Sequence, residues 1–221
     1  TRLSQGFPLP ALLMIKLDIC EIFYSLQGES SFQGMPCIFI RLSGCNLRCA
    51  WCDTKYSYAK GNLRSIASIL KEIALYPSKL VELTGGEPLW QEASIPLMET
   101  LLEQGYRVLL ETNGSLDLSE VPPDVVKIVD VKCPGSGMGD SFMKHNLLCM
   151  NDQDEIKFVL SNYLDYTFAK AFLSEHQISP RTVHFSPVPS LLNAESLATW
   201  ILEDGLNVKL SLQLHKLLNL R

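Results

Sequence analysis

Short β-rich runs alternate with helical runs along this sequence, and that alternation is the feature that most limits its fold. After a hairpin arm or edge strand at 18–24, strands are predicted near 37–43, 80–84, 106–111, 125–131, 155–160, 182–186 and 207–212. Helices are predicted near 63–75, 90–104, 163–175 and 191–203. Strands separated by helices form βα units around a parallel sheet. Six or so units are too few for a closed eight-stranded barrel, so we expect the α/β class and an open, partial (β/α)6 TIM-like barrel.

The first predicted helix has the pattern of a core element. Its apolar residues recur at three- and four-residue spacing, at Leu63, Ile66, Ala67, Leu70, Ile73 and Ala74. Such a stripe is typical of one buried helical face. We interpret it as part of the core and not as a cofactor-binding surface.

Length and charge are those of one domain that binds neither nucleic acid nor a membrane. The chain has 221 residues, 47% of them hydrophobic, which suits a single core. Its 24 acidic and 19 basic residues give a formal charge of −5, and no cluster of Lys and Arg is present to neutralise phosphates. No apolar stretch reaches the roughly 18 residues that span a bilayer.

The amino-terminal thirteen residues read as a separate leader in front of Met14. Their apolar patch is short and is interrupted by Pro8 and Pro10, which argues against a secretory signal. We therefore expect a leader at 1–13 and a single domain at 14–221. An ordinary ordered arm is the alternative for the first segment.

Seven cysteines are an odd number, and a chain of this size does not need disulfides, so unpaired thiols and a cytoplasmic location are expected. Three of them form Cys45-x3-Cys49-x2-Cys52 on one tight loop. Three thiolates so placed can hold three corners of a [4Fe-4S] cluster and leave the fourth iron open. A zinc site would need four ligands, and neither a second cysteine pair nor a histidine lies nearby in the sequence. The other four cysteines are interpreted as packing residues: Cys20, Cys37, Cys133 and Cys149.

Polar motifs follow several of the predicted strands. In parallel α/β sheets ligands bind at the carboxyl ends of the strands, so these motifs should meet at one rim. The cysteine loop follows the first core strand, and the next strand runs into Gly85-Gly86-Glu87, where adjacent glycines allow close approach to the backbone. Asn113 and Lys132 follow later strands. Ordinary turns and a solvated lysine are the alternatives at these positions.

The cysteine spacing, with the aromatic Trp51 before the last cysteine, resembles that of radical S-adenosylmethionine (SAM) enzymes. The resemblance implies that 14–221 is one radical SAM domain with its cluster loop at the carboxyl end of the first strand of the barrel. It also implies a set of cofactor contacts, namely Gly86, Glu87, Asn113, Lys132, Cys133, Pro134, Ser186, Pro187, Val188 and Pro189.

A second set of motifs resembles one family of such enzymes. These motifs are the segment 21–29 (EIFYSLQGE), Gly34-x-Pro36, Arg41, Cys52-Asp53-Thr54 and the tail segment 212–216 (LQLHK). Together they resemble the 7-carboxy-7-deazaguanine synthases of queuosine and other deazapurine biosynthesis. The resemblance implies Thr54 as a ligand of Mg²⁺, an ion that often takes few protein ligands.

The same resemblance implies the substrate contacts Leu26, Gln27, Gly28, Arg41, Thr84 and the chain end Arg221. The backbone of 26–28 could pair with the amide-like edge of a pterin, and buried polar groups there would penalise a mismatch. Arg41 offers a planar fork for the substrate carboxylate. A surface arginine beside a strand is the alternative.

The activity implied by the resemblance is a ring contraction. An electron from flavodoxin or ferredoxin enters the cluster, SAM is cleaved, and the resulting 5′-deoxyadenosyl radical takes hydrogen from C6 of 6-carboxy-5,6,7,8-tetrahydropterin. Contraction of the ring then yields 7-carboxy-7-deazaguanine and ammonia. The family also implies a homodimer. A radical activase acting on a glycine of a partner protein, and a non-catalytic zinc or iron–sulfur protein, are the competing interpretations.

Overall fold

A nine-stranded sheet organises the chain in the computed structural model, which describes residues 9–176 and 182–220. The strands are β1 (Lys16–Leu26), β2 (Pro36–Leu42), β3 (Asn62–Ser65), β4 (Leu80–Gly85), β5 (Arg107–Thr112), β6 (Val126–Asp130), β7 (Glu155–Leu160), β8 (Thr182–Pro187) and β9 (Lys209–Leu210). The helices are α1 (Leu9–Met14), α2 (Ile66–Ile73), α3 (Ser94–Glu103), α4 (Tyr163–Glu175), α5 (Ala194–Glu203) and α6 (Leu214–Leu217).

The sheet is parallel from β2 onward and stays open. Its order is β3-β1-β2-β4-β5-β6-β7-β8-β9, and β1 pairs antiparallel with both β2 and β3. Within the described residues, β3 and β9 are the two edges and do not pair with each other. Helices α3, α4 and α5 lie in the crossovers that follow β4, β7 and β8. The predicted open α/β barrel is therefore confirmed.

Side chains alternate between the two faces of each strand, which decides where the core lies. On β2, Ile38, Ile40 and Leu42 belong to the main hydrophobic cluster, which also contains the buried residues of α2 and α3. Cys37 and Phe39 belong to a second, smaller cluster. The main cluster thus fills the space between the sheet and its helices, and the second lies on the inner face.

The inner face changes from apolar to polar along the strands. On β4, Leu80 belongs to the inner cluster, and residues of the same parity farther along are Glu82 and Thr84. On β6, Ile128 is followed on the same face by Asp130. The inner face of the sheet is therefore apolar toward the amino ends of these strands and polar toward their carboxyl ends.

The segment predicted as the start of the first helix is a strand. Residues Asn62–Ser65 form β3 because they pair with β1 at the edge of the sheet. Leu63 is consequently 62% exposed and does not join the core stripe. Helix α2 begins at Ile66, and Ser65 Oγ accepts a hydrogen bond from the Ser68 N–H at 3.2 Å.

Three other predicted elements are longer than the observed ones. Helix α3 starts at Ser94, after a 3₁₀ turn at Pro88–Trp90. Helix α5 starts at Ala194, where Asn193 Oδ1 accepts from the Glu195 N–H at 2.8 Å. The strand predicted at 207–212 contributes only the two residues of β9, which pair with β8.

Part of the segment predicted as a leader is helical. Helix α1 packs near α2, and Leu12 is 8% exposed and belongs to the main cluster. Residues 1–8 lie outside the described part of the chain, so the division into a leader and one domain stays a prediction. No helix within the described ranges is long and apolar enough to cross a bilayer.

Candidate active site

A cavity of about 430 Å³ opens at the carboxyl ends of the parallel strands. Its wall includes all three cysteines of the loop after β2, together with the polar residues at the ends of β4, β5 and β6. The position is the one that parallel α/β sheets use for ligands. The sequence motifs predicted to share a rim thus face one cavity.

The cysteine loop presents three free, half-buried thiols. The Leu47 N–H donates to Cys45 Sγ at 3.4 Å, and the Cys52 N–H donates to the Cys49 carbonyl at 3.2 Å. Burial raises the pKa of the Cys45 and Cys49 thiols, so thiolates there need a cation, and a bound metal supplies it. Among the described residues, these sulfurs are not grouped within 4.8 Å of one another, which suits a cluster better than a single ion.

The glycine pair after β4 packs against this loop. A Cβ on Gly86 would overlap the backbone of Gly44, and Gly85 has φ of +132°. The Gly86 N–H donates to the Leu42 carbonyl at 3.1 Å, and the Glu87 N–H donates to the Gly44 carbonyl at 2.9 Å. Only glycine allows this approach, so the pair fixes the cysteine loop, and Gly86 also lines the cavity.

Glu87 has a different position from the one expected. Its side chain is fully buried and accepts hydrogen bonds from the Leu89 N–H at 3.1 Å, Thr112 Oγ1 at 2.8 Å and the Asn113 N–H at 2.7 Å. The carboxylate therefore ties the loop after β4 to the end of β5 and is not offered to the cavity. Asn113, which it positions, lines the cavity, with Nδ2 3.9 Å from Cys45 Sγ.

One wall of the cavity, here called the floor, is a charged network of Glu29, Thr84, Glu111, Asp130 and Lys157 together with Glu82. Nζ of Lys157 donates to Glu29 Oε2 at 2.8 Å and to Glu111, and lies 3.7 Å from Asp130 Oδ2. Thr84 Oγ1 donates to the other Glu111 oxygen at 2.8 Å. Burial opposes ionisation of Glu111, but Lys157 and Thr84 outweigh it and lower its pKa to about 2. Glu111 is therefore ionised whenever the protein is folded near neutral pH.

Glu82 lies beside this network, and its pKa is shifted in the opposite direction from that of Glu111. It is 4% exposed, and its burial, followed by the charges of Glu111 and Glu29, raises its pKa well above the usual value. Its Oε2 accepts a hydrogen bond from Gln27 Nε2. The floor therefore combines a carboxyl group that favours its proton with a carboxylate that has lost it.

Asp130 and Lys132 connect the floor to the cysteine loop. Nζ of Lys132 donates to Asp130 Oδ2 at 2.7 Å, and both residues line the cavity. Burial disfavours the Lys132 cation, but Asp130 and Cys49 outweigh it and raise its pKa. Asp130 Oδ1 is buried without a hydrogen-bond partner among the described residues. An unpartnered acceptor at the wall of a cavity indicates a place for a ligand donor.

The segment that follows β1, here called the arm (residues 26–35), lines the cavity through Leu26, Gln27 and Gly28, and part of its backbone is already hydrogen-bonded within the arm. The Gln27 N–H donates to the Met35 carbonyl at 2.8 Å, and its carbonyl accepts from the Gly34 N–H at 2.8 Å. Both main-chain groups of Gln27 are therefore unavailable to a substrate. In an extended chain the neighbouring Leu26 carbonyl and Gly28 N–H point to the opposite side.

The residues near the cavity entrance are paired with one another. Nε of Arg41 donates to Glu21 Oε1 at 2.9 Å, and the Tyr56 hydroxyl donates to the same oxygen at 3.0 Å. Burial disfavours the Arg41 charge, but Tyr56 and Glu21 outweigh it and raise its pKa. Thr54 Oγ1 donates to Asp53 Oδ1 at 2.9 Å.

The segment after β9, here called the tail (residues 211–220), lies at the cavity and lines it through Gln213, His215 and Lys216. The Leu214 N–H donates to the Gly28 carbonyl at 2.9 Å, and Gln213 Nε2 donates to Glu29 Oε1 at 2.7 Å. Nζ of Lys216 reaches Asp53 Oδ2 at 2.7 Å. Arg221, predicted to contact the substrate, lies outside the described residues.

Comparison with known proteins agrees with this geometry. Residues 39–130 match the Radical SAM superfamily. The chain is 50% identical over 216 residues to a 7-carboxy-7-deazaguanine synthase of Koribacter versatilis, covering 90% of this chain and 96% of the relative. It is 41% identical over 208 residues to the enzyme of that name from Chlorobaculum tepidum, covering 90% and 93%. The crystal structure of QueE from Escherichia coli superposes with a TM-score of 0.79 at 25% identity, covering 96% of this chain and all of that one.

The chain belongs to the 7-carboxy-7-deazaguanine synthase family. The predicted family, with its radical SAM chemistry, is thereby confirmed. Membership implies a [4Fe-4S] cluster and SAM, and the free thiols around the cavity fit the cluster. The competing radical activase and non-catalytic metal-protein interpretations are not needed for a synthase of this family.

The predicted contacts of this synthase divide into two groups. Those that line the cavity are Gly86, Asn113, Lys132, Pro187, Val188 and Pro189 for SAM, Leu26, Gln27, Gly28, Arg41 and Thr84 for the substrate, and Thr54 for Mg²⁺. Those that do not are Glu87, Cys133, Pro134 and Ser186. Cys133 and Ser186 are buried at 1% and 2% exposure, because both side chains face into packed protein. Binding by either group stays a prediction.

Several residues of the cavity were given no role in the site from the sequence, although two of them, Glu29 and Gln213, lie in the quoted family motifs. They are Glu29, Glu82, Asp130, Lys157 and Gln213. For Glu82, Asp130 and Lys157 the signal was available: each is a charged residue in a strand that is buried over most of its length, and a buried charge is seldom tolerated unless it is paired.

Proposed function

We propose that the protein is a radical SAM lyase that contracts 6-carboxy-5,6,7,8-tetrahydropterin to 7-carboxy-7-deazaguanine with release of ammonia. The observation that carries the proposal is that the triple-cysteine loop and the buried charged floor face one cavity in a chain of this family. A cluster alone would need no such floor. A polar pocket beside it is what a small, hydrogen-bonding substrate requires.

Cys45, Cys49 and Cys52 would hold the cluster, with SAM at its open iron. When bound, these two groups supply the radical that removes hydrogen from the substrate, and the protein contributes binding and orientation. Lys132 and Asn113 lie on the cavity wall near the cysteines and would hold polar groups of SAM. The roles of Glu87, Cys133, Pro134 and Ser186 would be indirect, through the loops they stabilise.

The substrate would lie between the arm and the floor. The Leu26 carbonyl and the Gly28 N–H would pair with one edge of the pterin, since Gln27 is engaged with residues 34 and 35. Glu82, protonated beside ionised Glu111, gives the floor both a donor and an acceptor. Such a pattern rejects rings with the wrong edge by leaving buried groups unpaired.

The entrance would hold the substrate carboxylate. The described hydrogen bond of Arg41 goes through Nε, and a guanidinium has five N–H donors, so the others would serve the carboxylate. Thr84 is bonded to Glu111 and would act on the substrate from the floor. The last predicted substrate contact, Arg221, lies outside the described residues and stays a prediction.

Thr54 would bind Mg²⁺. Its hydroxyl donates to Asp53, which leaves the oxygen lone pairs free for a hard cation. Asp53 also carries a pKa of about 2, where Lys216 and Thr54 outweigh its burial, so its negative charge would favour the ion. The ion would polarise the substrate carboxylate.

The remaining features of the proposal concern the setting of the enzyme. A flavodoxin or ferredoxin would supply the electron, and the active form would be a homodimer, as in the family. The thiols of Cys37, Cys45, Cys49, Cys52, Cys133 and Cys149 are free, which supports a reducing, cytoplasmic location.

The test is anaerobic turnover of reconstituted protein with the carboxypterin, SAM, Mg²⁺ and a reductant, followed by product mass. We expect 7-carboxy-7-deazaguanine without any partner protein, and loss of both cluster and product in Cys49→Ala. The matched control is Cys37→Ala, which removes a buried thiol outside the loop and should keep the cluster. Product formation by Cys49→Ala, or none by the wild type with a full cluster, would refute the proposal.

A further inference from the structure

A second group of potential metal ligands lies outside the cavity. Asp117 is on the loop after β5, and His145 and Cys149 are four residues apart on the 3₁₀ helix Lys144–Cys149. One ligand atom from each of the three lies within 4.8 Å of the other two. None of the three lines the active-site cavity, and the family chemistry assigns them no role.

The two segments that carry these residues are already fixed to each other. Asn146 is fully buried, and its Nδ2 donates to the Gly114 carbonyl at 2.9 Å and to the Leu116 carbonyl at 2.8 Å. Its Oδ1 accepts from the Leu118 N–H at 3.1 Å. The three ligands are therefore held on a common frame and do not depend on chance encounters of mobile loops.

The donor set selects the ion. One thiol, one imidazole and one carboxylate are the ligands that zinc takes in proteins, whereas Mg²⁺ and Ca²⁺ prefer oxygen alone. Ligands around tetrahedral zinc lie about 3.5 Å apart, so the side chains need to close by roughly 1 Å. Asp117 and His145 are exposed, and Asp117 would keep the hydrogen bond from the Ser119 N–H through one carboxylate oxygen while the other binds the ion.

We propose that Asp117, His145 and Cys149 form a surface zinc site that clips the loop after β5 to the 3₁₀ helix Lys144–Cys149. Zinc would take Cys149 as its thiolate, with the thiol proton released to solvent, and water would fill the fourth position. The clipped loop begins at Asn113, so the site would stiffen one wall of the cavity.

Zinc binding is tested on the holoenzyme, in which iron occupies the three loop cysteines. Zinc is titrated against a chromophoric chelator, and Co²⁺ is used as a probe because a cobalt–thiolate bond gives a charge-transfer band. Loss of an outer partner already costs about 10–100-fold in metal affinity, so Cys149→Ser and His145→Gln should each weaken zinc by at least about 100-fold. Leu148→Ala, an 81% exposed neighbour, should bind like the wild type.

A second background separates this site from the cluster ligands. In a Cys45→Ala, Cys49→Ala, Cys52→Ala variant, one zinc per chain should remain and should be lost on adding Cys149→Ser. Wild-type affinity in Cys149→Ser, or no zinc in the triple variant, would overturn the proposal.

Amide hydrogen exchange tests whether zinc holds the loop after β5 against the 3₁₀ helix. Zinc should slow amide hydrogen exchange at 114–119 in the wild type and leave it unchanged in Cys149→Ser. Zinc that binds through Cys149 without slowing exchange there would overturn the proposed clip.

Discussion

Lys157 is the residue on which the electrostatics of the cavity depend. It is 4% exposed, and three carboxylates from the arm, β5 and β6 surround its ammonium group. A buried cation is costly unless it is paired, and so are the buried anions around it. The cation and its three carboxylates therefore stabilise one another, which explains why charged residues can lie beside the apolar part of the inner face.

Replacing Lys157 with Met should destabilise the protein by about 3–5 kcal/mol, because Glu29, Glu111 and Asp130 would lose their shared cation. Urea unfolding at neutral pH measures the change. The matched control is Lys144→Met, whose partner Glu175 is exposed, and which should cost at most about 1 kcal/mol. Equal effects of the two substitutions would contradict a buried network.

The pKa of Glu111 predicts how stability changes in acid. The folded value of about 2 lies below the ordinary 4.5, so ionised Glu111 contributes stability above about pH 4.5 that is lost as the pH falls toward 2. Glu111→Gln lacks this contribution at every pH. Its deficit relative to the wild type should therefore be up to about 3 kcal/mol at pH 6 and should close near pH 2.

Urea unfolding of the cluster-free chain at pH 6, 4 and 2.5 measures that deficit. Glu175→Gln is the control, since Glu175 is fully exposed and its deficit should stay small at all three values. A Glu111→Gln deficit that does not shrink in acid would show that the ionised carboxylate is not what stabilises the floor.

At the scale of elements, the sequence predicted the strands better than it predicted the helix starts. The strand predicted at 155–160 matches β7, whose residues are almost all buried, as is typical of a strand inside a parallel sheet. The apolar stripe of α2 was extended to Leu63 because Leu63 fits helical spacing equally well. Pairing with β1, a contact distant in sequence, decided otherwise.

The candidate site was predictable to a similar degree. The cysteine loop and the glycine pair are contiguous in sequence, so both were identified. The hydrogen bonds of Glu87 could not be read from the sequence because two of its three donors come from the end of the next strand along the sheet, and its contact with SAM stays a prediction. Lys157 was missed because its partners are contributed by three separate segments, which only the folded sheet brings together.

The start of α2 gives a test at this scale. Ser65 ends β3 and caps α2, with its hydroxyl oxygen accepting from Ser68. Ser65→Ala should cost about 1 kcal/mol in urea unfolding, because the first turn loses an acceptor for an N–H that the helix itself cannot satisfy. Ser174→Ala, on the exposed face of α4, should be neutral or slightly stabilising. Equal free energies of unfolding for the two variants would show that Ser65 does not cap α2.

At the scale of the whole molecule, two segments from opposite sides of the open sheet meet over the cavity. The arm after β1 and the tail after β9 come from opposite sides of the sheet, yet the Leu214 N–H reaches the Gly28 carbonyl. Gln33 Nε2 donates to the Leu212 carbonyl at 2.7 Å, and Gln213 reaches Glu29. These hydrogen bonds join the two sides of the open sheet over the cavity, where additional strands would join them in a closed barrel.

The contact between Gly28 and His215 tests this bridge. A Cβ on Gly28 would overlap the His215 ring, so Gly28→Ala should push the tail from the arm. Amide hydrogen exchange at 212–217 should then quicken by about tenfold or more, since the segment opens more often. His215→Ala removes the obstructing ring, and adding it to Gly28→Ala should restore slow exchange, a coupling that only direct contact explains. Gly105→Ala is the control: it strains a glycine with φ of +73° but meets no neighbouring atom, so exchange at 212–217 should stay as in the wild type. If exchange in Gly28→Ala stays slow, or stays fast in the double variant, the tail is not held by the arm and the cavity must be covered in some other way.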